Sequence, residues 1–179
     1  YLLANSQIEI AVVPQLGAKI ISLKNVRTGR EWMWHPAGAL NLFRNPFGDD
    51  FARSPLVGFD ECLPTIAPCL WQGRNLPDHG EVWSAEWNLN EDAWQKGMLK
   101  TSVRLENSPF DFDRTIELEG STIRLTYQLT NRRSAPEKFL WAMHPLLRLE
   151  EGDHLVLPAS TRESLSDADW VGAVDSAVP

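Results

Sequence analysis

Along most of the chain, apolar and polar residues alternate, and turn residues interrupt the alternation at short intervals. Residues 7–13 set Ile8, Ile10 and Val12 on one side and Gln7 and Glu9 on the other, the period-2 pattern of a half-buried strand. Pro14-Gln-Leu-Gly17 is a turn, residues 18–23 a second strand, 25–30 a polar turn and 31–34 a short third strand. The chain therefore opens as an antiparallel meander with tight connections. Residues 36–55 are irregular and rich in Gly, Pro, Asn and Asp. Residues 83–89 place Trp83, Ala85, Trp87 and Leu89 on one face, 90–97 read as a loop, and 100–106 alternate with Thr101, Val103 and Leu105 inward. Residues 112–118 and 122–130 flank a hairpin turn at Glu119-Gly-Ser121. Residues 139–144 are apolar on both faces, which predicts a strand covered on both sides and ended by His144. A turn at 150–153 and a short strand at Leu155–Leu157 follow, and residues 160–179 show no period. Sustained helical periodicity is absent. The expectation is one domain over residues 1–179, all-β, folded as a large antiparallel β-sandwich.

One stretch does not fit the alternation. It runs Gly58-Phe-Asp-Glu-Cys-Leu-Pro-Thr-Ile-Ala-Pro-Cys69 and then Pro77-Asp-His-Gly-Glu-Val-Trp83. Pro64, Pro68 and Pro77 exclude regular helix, yet Phe59, Leu63, Ile66, Val82 and Trp83 are too apolar for a solvated loop. Apolar, irregular chain that carries Asp60, Glu61, His79 and Glu81 suits the wall of a binding site, because such residues concentrate on loops held by a rigid scaffold. The plainer alternative is a long crossover packed over a sheet, with its acids capping turns.

Charge narrows the classes. The chain carries 24 Asp plus Glu against 17 Lys plus Arg, a net charge of −7, and Lys and Arg cluster only at Arg132-Arg133. Nucleic acid is therefore an unsuitable partner. No apolar run reaches the length of a membrane span. Cys62 and Cys69 are expected to be free thiols in a reducing cytoplasm, and Glu61 beside Cys62 disfavours a thiolate nucleophile. Eight Trp in 179 residues is a high count. Beyond core packing, a Trp such as Trp83 offers a flat apolar platform with a polar edge, which suits one face of a sugar ring.

Several pieces taken in order resemble the aldose 1-epimerase (galactose mutarotase-like) family, and its divergent bacterial branch in particular. They are the opening strand with Pro14-Gln-Leu-Gly-Ala18, Thr28-Gly-Arg-Glu-Trp32, Phe59-Asp-Glu61, His79-Gly80, and residues 122–131 followed by 139–144 with a histidine ending a strand. The resemblance implies a β-supersandwich and an isomerase that interconverts the α and β anomers of an aldose. It implies His144 as the general acid at the ring oxygen and His79 as a residue that binds and polarises near the same oxygen. It also implies a longer chain, of which these residues are the N-terminal part: the family's basic glutamate lies near its C-terminus, and no residue here maps onto it.

Opening a hemiacetal needs one group to take the anomeric hydroxyl's proton and another to give one to the ring oxygen. Histidine suits the acid because it titrates near neutrality. No cofactor or metal is required. His144 beside Pro145 and His79 beside Gly80, where a ligand could approach the backbone, are the catalytic candidates. Asp60, Glu61, Glu81 and Trp83 are the sugar-binding candidates, and His35 and His154 read as surface residues. The plainer alternatives are a core histidine, a turn histidine and solvated turn acids. A two-histidine, one-carboxylate metal set of His79, Glu81 and His144 is a minor alternative. Two other functions suit the same residues: a carbohydrate-binding module without chemistry, and a hexose-phosphate epimerase using Arg53 and Arg74 on the phosphate. If later strands should pair with those ending near Leu157, a homodimer through open sheet edges is also expected.

Overall fold

A computed structural model describes residues 1–154 and 156. The chain divides into two compact units, Tyr1–Leu149 and Glu150–Pro179. The first unit is an antiparallel β-sandwich. One sheet has the order β1 (Leu2–Ala4), β2 (Ile8–Val13), β3 (Lys19–Asn25), β4 (Phe59–Cys62) and β11 (Ala142–Pro145). The other runs β10 (Thr122–Asn131), β9 (Phe110–Glu119), β8 (Leu99–Arg104) and β7 (Asn88–Leu89). A separate hairpin joins β5 (Cys69–Trp71) to β6 (Arg74–Leu76). In the second unit the described residues form a turn in which the Glu150 amide donates to Asp153 Oδ2 at 2.8 Å.

The alternation read from the sequence produces the core directly. Ile8, Ile10 and Val12 of β2 are buried and their neighbours half-buried. Leu99, Thr101 and Val103 of β8 and Phe110, Phe112, Arg114 and Ile116 of β9 point the same way. Ile10, Val12, Ile20, Leu63 and Phe59 pack with Leu99, Val103, Phe110, Phe112 and Ile116 in one apolar cluster. β9 and β10 pair over their full ten residues around Gly120.

Four expectations change. Residues 31–34 form no strand: only single bridges occur, Lys24 to Glu31 and Met33 to Leu147. Residues 83–87 form no strand: Trp83 and Trp87 are buried with their indoles donating to the Asp78 and Val82 carbonyls, and the Trp87 amide donates to the Pro14 carbonyl. Residues 90–97 contain a helix, α1 (Glu91–Gln95), capped by Asn90 accepting from the Ala93 amide, with Glu91 and Asp92 at its N-terminal end. Residues 139–144 are not a strand covered on both sides. β11 begins only at Ala142 and is the end strand of its sheet, so Phe139, Leu140, Trp141 and Met143 remain exposed. Of the expected strand at Leu155–Leu157, all but Val156 lies outside the described residues.

Candidate functional site

β4 places the site. It pairs with β11 so that Asp60 stands opposite His144, Cys62 opposite Ala142 and Glu61 opposite Met143. Because side chains alternate across a strand, Asp60 and His144 share the outer face of the sheet, while Glu61 enters the sandwich interior. β3 adds Lys19 to the outer face, and Lys19 Nζ lies 2.7 Å from Asp60 Oδ2 and 2.8 Å from the Pro55 carbonyl.

The second histidine arrives on a tight turn. The Gly80 amide donates to the Pro77 carbonyl, the His79 amide to the Ile66 carbonyl at 2.9 Å, and the Glu81 amide to the Leu63 carbonyl at 2.7 Å. His79 has φ +58° and Gly80 φ +74°. For a histidine, that left-handed conformation costs of order 1–3 kcal/mol and persists only where the surroundings impose it. Gly80 is required because a Cβ there would overlap the Leu63 carbonyl. The close approach is thus to the chain's own backbone, not to a ligand.

The structure brings the two histidines together. Their ring centroids lie 5.0 Å apart, nearly perpendicular. Phe51, from a 3-10 turn (Phe51–Arg53) in the irregular stretch, stacks on His79 at 3.9 Å and meets His144 edge-on at 5.2 Å. Trp83 backs Phe51 at 5.1 Å. Asp78 Oδ2 lies 2.9 Å from His79 Nδ1, off the line of a hydrogen bond. In both rings Nδ1 is buried without a hydrogen-bond partner, which leaves Nε2 as the nitrogen that can meet a ligand. Burial and the neighbouring His79 charge hold His144 below the usual histidine range. Burial pushes Asp60 up to about 6, with Lys19 opposing.

The other sugar-binding candidates go elsewhere. Glu61 is fully buried between the sheets, where Oε1 accepts from Arg114 Nη1 at 3.2 Å and Tyr127 OH at 2.7 Å, and Oε2 accepts from Trp141 Nε1 at 2.9 Å. Arg114 also donates to the Ala18 carbonyl. Glu81 accepts from the Asn107 amide and side chain and lines a separate cavity of about 360 Å³ with Arg44, Asn45, Glu86 and Arg104. Trp83 is buried and presents no open platform. Cys62 and Cys69 are free, and burial, with Asp60 and Glu61 next, pushes the Cys62 thiol up to about 12. Arg53 reaches Asp49 at 3.9 Å while Arg74 donates to the Asn107 carbonyl, so they do not form one phosphate clamp. His35 is half-buried, with Nε2 2.6 Å from the Ile21 carbonyl. Among the described residues, no group of three or more His, Cys, Asp or Glu is arranged to hold a metal ion.

Sequence reasoning missed Phe51, Lys19 and Arg114. Phe51 gives no signal, because nothing periodic surrounds it. Arg114 does: it occupies an inward position between Phe112 and Ile116, where an unpaired charge could not remain. Lys19 has a weaker signal, a lysine between Ala18 and Ile20. Comparison with protein-family models finds no match, and comparison with curated proteins finds none either.

Proposed function

We propose that this protein is a carbohydrate isomerase that interconverts the α and β anomers of an aldose by acid/base ring opening. The observation that carries the reading is the pair of histidine rings 5.0 Å apart on the outer face of the sheet, walled by Phe51. Two titratable rings at that spacing can serve one small ligand, one as acid and one as base. His144 gives its proton to the ring oxygen as the bond from that oxygen to the anomeric carbon breaks. His79 takes the proton of the anomeric hydroxyl as the carbonyl forms. Closure runs the same transfers backwards on either face of the carbonyl, which exchanges the anomers. Phe51, buried and stacked on His79, holds the two rings in place from behind. The left-handed backbone at His79 supports a functional role, since such strain gathers at sites where geometry matters.

The test is anomer exchange of glucose and galactose, followed by NMR. The wild-type protein should accelerate exchange, and His144→Ala should slow it by about 10²–10⁴-fold, the usual worth of a general acid. An unchanged rate removes His144 from the mechanism. Saturable sugar binding without acceleration would instead identify a carbohydrate-binding module.

A further inference from the structure

A buried carboxylate lies under the histidine pair, and its position gives it a task other than holding sugar. Asp60 is 1% exposed, so a ligand on the histidines cannot reach it directly. Its Oδ2 is committed to Lys19. Its Oδ1 is buried and without a hydrogen-bond partner, and so is Nδ1 of His144. The two residues are direct partners across the β4–β11 ladder. Directly opposed residues have Cβ atoms about 4.5–5.5 Å apart, so the two side chains leave the same face of the sheet side by side. Both atoms are shielded from solvent.

We propose that Asp60 is the positioning residue of His144: its Oδ1 accepts the Nδ1 proton, fixing the ring so that Nε2 faces the sugar and steadying the imidazolium form. This rests on the isomerase reading above, and it supplies what that reading needs. Burial and His79 both disfavour a charged His144, yet an acid must carry the proton it gives. The groups facing His144 are Asp60 and Cys62 from β4, Lys19 from β3, and Asp78 and His79 from the turn. The Cys62 thiol stays neutral. Lys19 opposes the imidazolium and Asp78 favours it. Asp60 is the acid that the strand register sets beside His144 on the same face of the sheet, and Lys19 holds its carboxylate through the other oxygen. No atom is exchanged with the substrate through Asp60; the only transfer is the proton from His144 Nε2 to the ring oxygen.

The test is a ¹⁵N NMR titration of the histidine rings in the intact chain, in wild type and in Asp60→Asn. An opposite charge at this range shifts a titration by roughly 1–3 pH units. In Asp60→Asn, His144 should therefore titrate lower by about one unit or more, whereas the asparagine oxygen can still accept from Nδ1–H, so the tautomer is read in a variant without an acceptor. An unchanged midpoint overturns the proposal. Asp60→Asn leaves Lys19 buried without its counter-charge and could fail to fold. Lys19→Met/Asp60→Leu removes both charges and the acceptor, and there the tautomer decides: loss of the Nδ1–H preference supports the proposal, retention overturns it. The pH profile of anomer exchange should fall off at lower pH in the variant by the same interval. If the wild type does not exchange anomers, the isomerase reading fails, while the titration still decides whether Asp60 positions His144.

Discussion

Glu61→Gln tests the polar link between the two sheets. Three donors converge on this one carboxylate: Arg114 Nη1 and Tyr127 OH from β9 and β10, and Trp141 Nε1 from just before β11. Glutamine keeps the shape but offers a single acceptor oxygen, and its NH₂ group must meet one of the donors. The substitution also leaves Arg114, fully buried, without its counter-charge. Removing one partner of a buried pair costs about 3–5 kcal/mol, since the remaining charge cannot return to water. That is a large share of the roughly 5–15 kcal/mol that holds a domain folded. Urea unfolding followed by Trp fluorescence should show the midpoint falling sharply. The double variant Glu61→Leu/Arg114→Met removes both charges and should recover the part of the loss due to the unpaired Arg114, while Tyr127 OH and Trp141 Nε1 still lack their acceptor. The thermodynamic cycle of Glu61→Leu, Arg114→Met and the double variant then gives a coupling of a few kcal/mol. A loss below about 1 kcal/mol for Glu61→Gln, or a double variant as unstable as the two single losses added, would refute the reasoning.

Further outcomes concern pH, backbone and association. Asp60 sits at about 6 in the folded protein against an ordinary value of 3.8, so the folded chain holds this proton more tightly than the unfolded one. The contribution is present below about pH 4 and lost as pH rises through about 6, roughly 3 kcal/mol in all; Glu61, also raised by burial, acts in the same direction. Urea unfolding across that window should show the decline, and a folded Asp60→Asn variant should flatten it. Gly80→Ala should lower the thermal midpoint by several degrees, because a Cβ at φ +74° overlaps the Leu63 carbonyl, whereas at Gly38 nothing lies within 4 Å and the loss should be smaller; equal losses would remove the close approach as the cause. Exposed Met143 on β11, an end strand, motivates a dimer through sheet edges. Light scattering should show mass rising with concentration, with Met143→Lys shifting it towards monomer; a wild-type monomer at every concentration would end this idea.

The sequence alone determined which segments are long strands. In residues 7–13, 100–106, 112–118 and 122–130 one face meets the core and the other meets water, and that difference is written as alternation. His79 and His144 were also legible, as histidines beside a glycine and a proline at the ends of segments. The tertiary structure decided which neighbours they have. Nothing in residues 36–55 foretells that Phe51 stacks on His79, since that contact comes from an irregular crossover with no period. Nor does the adjacency of Asp60 and Glu61 reveal that they serve opposite faces. That assignment depends on β4 lying between β3 and β11, which turns Asp60 towards Lys19 and His144 and Glu61 towards Arg114. Alternation along a strand is a local property that one sequence can display. Pairing register and the choice of covering loop depend on contacts between segments far apart in the chain, and only the folded arrangement specifies them.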